Sequence, residues 1–183
     1  MASASADERW AAARVARDPA AIPSLGEALA REGDTRVREA IFTALARVGT
    51  SESAQVILPY LRVDDASTRT GAMDALRAIP DACGPHLPGL LADPDPDVRM
   101  LACDLVREMG GADGARWLCA LIETEPEVNV SAAAVEALGE IADATAAPSL
   151  SRCAERFPDH PFLGFAVKVV AERLRGLPLA PRG

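Results

Sequence analysis

Four cysteines (Cys83, Cys103, Cys119, Cys153) and two histidines (His86, His160) are the side chains of this sequence with the widest chemical reach. A thiol beside an imidazole can act as a nucleophile, and clusters of the two can hold zinc. Here the cysteines are spaced by 20, 16 and 34 residues, with no C-x-x-C pair and no histidine cluster beside them. That pattern reads as small buried hydrophobes or incidental thiols. The acidic clusters Asp64-Asp65 and Asp93, Asp95, Asp97 offer oxygens for weak calcium binding, but turn and helix-cap chemistry accounts for them more simply. There is no G-x-x-x-x-G-K, G-x-S-x-G or H-E-x-x-H, and Gly110-Gly111 lacks a phosphate-cradling context. No catalytic residue, metal site or cofactor is expected.

The elements that carry these residues follow from composition and periodicity. The chain of 183 residues is 49% apolar and 25% charged, enough for one domain with a substantial core and too apolar for a disordered chain. Aromatics are only 4%, alanine and leucine recur throughout, and β-branched residues form no alternating runs, which predicts an all-α protein. A net charge of −8 argues against a surface built to neutralise phosphates, so nucleic acid is not an expected partner. The opening MASASADERW lacks a basic region followed by an apolar run, and no stretch reaches the ~18 uninterrupted apolar residues of a membrane helix. A cytoplasmic protein with no membrane partner is expected.

An internal repeat organises the chain. Similar patterns begin at Val37 (TRVREAIFTALARVG), Thr68, Val98 (DVRMLACDLVREMG), Val130 and, more loosely, Phe162, at offsets of 31, 30, 32 and 32. Seven and eight residues on stand Ala44-Leu45, Ala75-Leu76, Leu105-Val106, Ala137-Leu138 and Val169-Val170. Ala40, Ala72, Ala102, Ala134 and Ala166 fall three or four residues after the starts, and Val48, Ile79, Met109 and Ile141 eleven after. These spacings lay one apolar stripe along a helix, with small residues that admit a close neighbour. A second, shorter apolar pattern follows each turn. Leu25, Val56, Leu87 and Trp117 fall nineteen positions into their units and Leu150 twenty, so each unit reads as a helical hairpin, with Trp117 a packing residue. One hairpin cannot bury its own stripe, whereas stacked hairpins share a continuous core. The expected fold is an α-solenoid of about five stacked hairpins in a right-handed superhelix.

Punctuation marks the units. Asp95 can cap a helix whose first residue is Pro96, Pro126 and Pro161 stand just before helices, and Gly49, Gly110 and Gly111 follow helix ends. Prolines 23, 59, 88 and 148 lie early in the second helices, where they begin or bend them. The expected organisation is a disordered 1–6, one repeat domain over 7–175 with units near 7–33, 34–63, 64–93, 94–125 and 126–157, a capping helix at 160–175 and a flexible tail at 176–183. Phe162 and Phe165 would supply bulk in the last helix, with Arg173 breaking its column.

The unit DPDPDVRMLACDLVREMG…ARWLCALIETEPEV resembles the short HEAT-like repeat of phycobilin lyase subunits and of many bacterial proteins, from about residue 30 to 175. The resemblance implies the solenoid fold rather than an activity. It also implies a structural ladder of acids and arginines between adjacent units: Asp34 with Arg38, Asp65 with Arg69 and Asp97 with Arg99. Val130-Ser131 departs from the pattern, so the ladder should break between the third and fourth full units. Two enzymes of this wider fold group serve as tests. Deoxyhypusine hydroxylase carries His-Glu pairs for a di-iron centre, and neither histidine here precedes a glutamate. The HEAT-like alkylpurine DNA glycosylases need a basic groove with aromatics, and the acidic balance opposes that, with Trp10 and Trp117 the residues that keep it in view.

What remains is surface. In HEAT arrays the second helices line the concave side, where extended partners dock. Positions between the core columns would face that groove: Glu27, Arg31, Gln55, Leu58, Arg62, His86, Arg116, Cys119, Arg152 and Arg156. Half of these are arginine in an acidic chain, which fits an acidic or mixed-charge segment of another protein. The alternative is that the arginines merely solubilise exposed helix faces. The expected function is a non-enzymatic, monomeric protein-binding scaffold. A bilin lyase-like, chromophore-handling subunit, suggested by the resemblance, and a regulatory partner of a neighbouring enzyme or signalling protein are the alternatives.

Overall fold

A computed structural model describes residues 5–109 and 111–176. The expected disordered start lies outside these residues up to position 4, and the expected flexible tail from 177 on. Gly110 also lies outside. Among the described residues there are helices and turns but no strand.

The chain divides into two compact units at His86/Leu87. The first contains α1 (Ala6–Val15), α2 (Ile22–Leu29), α3 (Thr35–Val48), α4 (Ser51–Ile57), α5 (Ala66–Arg77) and the single turn α6 (Pro80–Cys83). The first helices α1, α3 and α5 pack side by side in one layer, and the second helices α2, α4 and α6 form another beneath. Between the layers Leu25, Ile41, Leu45, Ile57, Leu61 and Leu76 are all but fully buried. The second unit contains α7 (Leu87–Leu91), α8 (Pro96–Met109), α9 (Gly111–Thr124), α10 (Val128–Ile141), α11 (Ala147–Arg156) and α12 (Pro161–Arg175). There α8, α10 and α12 form the first layer, α9 and α11 pack as second helices, and Leu105, Leu118, Ile122, Leu138, Leu150 and Leu163 fill the space between.

Local sequence explains where these helices start and stop. Asp34 and Asp65 accept from the N–H groups of Val37 and Thr68 at 3.2 and 2.9 Å, and Thr50 accepts from Ser53 at 3.3 Å. Each satisfies a donor that the first helical turn leaves without a partner. Ahead of α8, Asp95 accepts from the Asp97 N–H at 2.9 Å while Pro96 opens the helix. Gly49 ends α3 at φ +70°, a left-handed conformation that an L side chain strains to adopt. The second-helix prolines act in two ways. Pro23, Pro88 and Pro148 are the second residues of α2, α7 and α11, whereas Pro59 ends α4 and passes the chain into a 3₁₀ segment, Leu58–Arg62.

The core columns begin on the third residue of α3, α5, α8, α10 and α12: Val37, Thr68, Val98, Val130 and Leu163. In the last unit this corrects the register by one. Leu163, Val167 and Leu174 are buried, while Phe162, Phe165 and Val169 are exposed at 79%, 66% and 48%. Arg173 therefore does not break the column, because Leu174 fills it. The same one-residue slip affects two second helices, where Ile57 and Leu118 are fully buried and Val56 and Trp117 only partly so. Trp117 is thus half-exposed and not a core residue.

Candidate functional site

Each of the four cysteine thiols is raised above its ordinary value, and burial is the main cause in every case. Burial pushes the Cys83 and Cys103 thiols up to about 11 and about 12, and it also raises Cys119 and Cys153. The nucleophilic thiolate is therefore scarce. Among the described residues no three histidine, cysteine, aspartate or glutamate side chains are placed to hold a metal ion.

The ten residues expected to face a groove are divided between the units. In the first, Glu27, Arg31, Gln55 and Arg62 are exposed on or just after the second helices, Leu58 is half-buried, and His86 is half-buried with its Nε2 out of solvent. In the second, Arg116 is 71% exposed on α9 and holds Asp113 of the same helix at 2.6 Å. Arg116 and half-buried Cys119 border an open cleft of about 500 Å³ between α9 and α11, shared with Asp143, Thr145 and Ser149. The other two arginines have structural partners. Arg152 reaches back from α11 to clasp both carboxylate oxygens of Glu123. Arg156 donates to the Ile122 and Glu125 carbonyls at 2.7 and 2.8 Å, closing the free C-terminal end of α9. The structure therefore brings Arg116 and Cys119 together at one cleft, while Arg152 and Arg156, exposed in part, are engaged by Glu123 and by backbone carbonyls.

Among the ladder residues, Arg38 lies 3.4 Å from Asp65, with Asp65 also capping α5. Arg69 turns instead to the Val63 carbonyl at 2.7 Å. Asp34 serves as a cap and Asp97 is exposed. Arg99 makes a two-pronged pair with Glu125 at 2.8 and 2.7 Å and donates to the Asp93 carbonyl at 2.8 Å. Glu125 stands in the turn before α10, so the step from the third to the fourth full unit is bridged, contrary to the break expected at Val130-Ser131.

Sequence reasoning missed Glu125 and its counterpart Glu32, which takes a two-pronged pair from Arg9 at 2.7 and 2.9 Å. Both carboxylates also accept a backbone N–H two residues on, Glu32 from Asp34 and Glu125 from Glu127, each at 3.0 Å. Asp93 does the same for Asp95 at 3.0 Å. The missed signal is thus an acid two residues ahead of a first helix: E-x-D at 32–34, D-x-D at 93–95 and E-x-E at 125–127. At the equivalent place the second turn has Val63, which has no carboxylate to offer an arginine.

These pairs set an acid limit to the fold. The Arg9 guanidinium lowers Glu32 to about 2, and the Arg152 guanidinium lowers Glu123 to about 2. A carboxyl whose folded value lies below its unfolded value of about 4.3 contributes stability above that pH and loses it as pH falls towards the folded value. Melting temperature should therefore hold down to about pH 4.5 and fall steeply towards pH 2. In thermal melts across this window, Glu32→Gln and Glu123→Gln should each show a shallower acid slope, and an unchanged slope would refute the assignment.

No helix among the described residues is long and apolar enough to cross a membrane. No curated protein matches the sequence. A crystal structure described as an engineered protein is 19% identical over 95% of this chain and 93% of its own, with a TM-score of 0.45. Residues 1–77 and 85–161 match the family of HEAT repeats, without singling out the phycobilin lyase type. That span carries the paired helices, the aspartate caps and the buried columns, and the chain belongs to the HEAT repeat family, with the all-α solenoid fold of that class.

Proposed function

We propose that the protein is a non-enzymatic binding module that takes an acidic or mixed-charge segment of another protein on its second-helix face. HEAT repeats generally mediate protein–protein interaction. The observation that carries the reading here is the open cleft between α9 and α11, with an exposed guanidinium, Arg116, at its rim and the thiol of Cys119 raised above its ordinary value by burial. Such a cleft offers shape, donors and charge without a nucleophile. The first unit extends the reading through the exposed Arg31, Gln55 and Arg62, and the protein acts as a monomer that presents these faces. Arg152 and Arg156 support the scaffold that displays them.

The test is charge reversal at Arg116, whose loss costs the fold only an exposed pair within one helix. With a partner captured from native lysate and its affinity measured, Arg116→Glu should weaken binding at least tenfold. Affinity equal to that of the unmodified protein would remove the second-helix face from the reading. Arg152→Glu is the poorer probe, because it also breaks the Glu123 clasp.

A further inference from the structure

A second surface, in the first unit and on its first helices, gathers three guanidiniums in one cleft. An open cleft of about 310 Å³ lies between α1 and α3, walled by Trp10, Arg14, Arg36, Glu39, Thr43 and Arg47. Trp10 is half-buried and carries two guanidiniums against its ring, Arg14 at 4.5 Å and Arg36 at 5.7 Å from the ring centre. An arginine stacked on an aromatic face keeps its N–H edge available, and the stack holds the planar group in place before a ligand arrives. Arg47 is anchored by a bond of 2.9 Å to the Arg14 carbonyl, which fixes its position without neutralising its charge.

The charge balance at this place is positive. The chain carries a net charge of −8, and Arg9, Arg38, Arg99, Arg107, Arg116 and Arg152 are each paired with carboxylates, while Arg69 and Arg156 are held by backbone carbonyls. In the cleft, Arg36 holds the exposed carboxylate of Asp7, but Arg14 and Arg47 have no carboxylate partner among the described residues. Glu39 is the one acid on the lining, against three guanidiniums. The Asp7 contact shows which chemistry the site accepts. A carboxylate with 81% of its side chain in solvent sits on Arg36, where an incoming carboxylate can replace it at little cost.

We propose that the α1–α3 cleft docks an acidic segment of a partner protein, with neighbouring Asp or Glu side chains engaging Arg14, Arg36 and Arg47 and the segment's backbone lying along Trp10. This site is separate from the second-helix face and does not depend on it. Carboxylates pair with guanidiniums through two parallel hydrogen bonds, and three fixed guanidiniums in one cleft select a segment with several acids over a single one. Arginine and tryptophan are also the side chains over-represented where binding energy concentrates in protein interfaces.

The experiment uses the full chain carrying Trp117→Phe, so that Trp10 is the only tryptophan, titrated with a hexaglutamate peptide at low salt. Trp10 emission and calorimetry are read together. A saturable change is expected, weakened at least tenfold in the Arg14→Gln/Arg47→Gln double variant and by moderate salt, and unaffected by Arg116→Glu. Asp7→Asn should tighten binding a few-fold by removing the resident competitor, a direction that loss of structure cannot imitate. Absence of saturable binding, binding that survives the double variant, or Asp7→Asn binding no tighter would each overturn the proposal. Tighter binding of single-stranded DNA or of a phosphopeptide of equal charge would overturn it too, by assigning the cleft to phosphate. Failure of Arg116→Glu to affect the captured partner bears only on the second-helix face, so the two readings fall separately.

Discussion

Glu125→Gln should lower the unfolding free energy by about 3 kcal/mol, the cost of removing one member of a buried ion pair and leaving its partner's charge unmatched. The two side chains are only 11% (Arg99) and 2% (Glu125) exposed, so water cannot take over the lost contact. The replacement has the same shape and opens no cavity, so the effect reads electrostatics rather than packing. Burial pushes the Glu125 carboxyl up, but Arg99 and the Glu127 N–H together outweigh it and hold the group below its ordinary value. The charged form is therefore the one the fold requires, and its contribution is present at neutral pH and lost on acidification. Urea unfolding of Glu125→Gln, of Arg99→Met and of the double variant makes the decisive cycle. The double variant should recover part of the loss, because no charge then remains unmatched. A single-variant cost below about 0.5 kcal/mol would place the pair with ordinary surface ion pairs.

Ending the chain at residue 158 should produce a protein that aggregates or melts far below full length. The deletion removes α12, which covers α10 and α11 and buries Leu163, Val167 and Leu174. At about 2 kcal/mol for each large aliphatic side chain, the loss is roughly 6 kcal/mol, before counting the apolar surface uncovered on α10 and α11. For a chain of this size that corresponds to a melting temperature lower by roughly 12–24 °C. Gly139 marks how closely the helix is seated, since a Cβ there would come within 3.0 Å of Val170. A truncated chain that stays soluble and melts with the full-length protein would show that α12 closes nothing.

Both predictions bear on which features can be read from a sequence. The paired-helix repeat was legible because burial requires an apolar residue every three or four positions, and that rule acts within one helix. The caps at Asp65 and Asp95 were legible for the same reason, since they act on N–H groups two or three residues away, whereas Asp34 was read as a ladder acid and proves to be a cap. Register was less secure. A four-residue turn, 157–160, precedes α12, whereas three residues, 125–127, precede α10, and counting at a fixed offset then lands on Phe162 instead of Leu163. Trp117 misled through size, because a large aromatic looks like a core residue whichever way its helix is turned.

The sequence by itself determined that this is an all-α repeat protein with capped helices and a shared apolar core, and that its cysteines and histidines form no recognisable catalytic or metal-binding pattern. These properties depend on residue type and on spacing within a helix, which a linear reading preserves. Only the tertiary structure decided which groups engage the arginines. Arg9 meets Glu32 across 23 residues, Arg99 meets Glu125 across 26 and Arg156 meets the Ile122 carbonyl across 34, so each contact exists only after separate helices have packed. The same packing lays Arg14 and Arg36 on Trp10, puts Arg152 on Glu123 and sets Arg156 on the carbonyls at the end of α9. A guanidinium on a long side chain reaches several neighbours of its helix, and the choice among them is made by the adjoining helix rather than by its own.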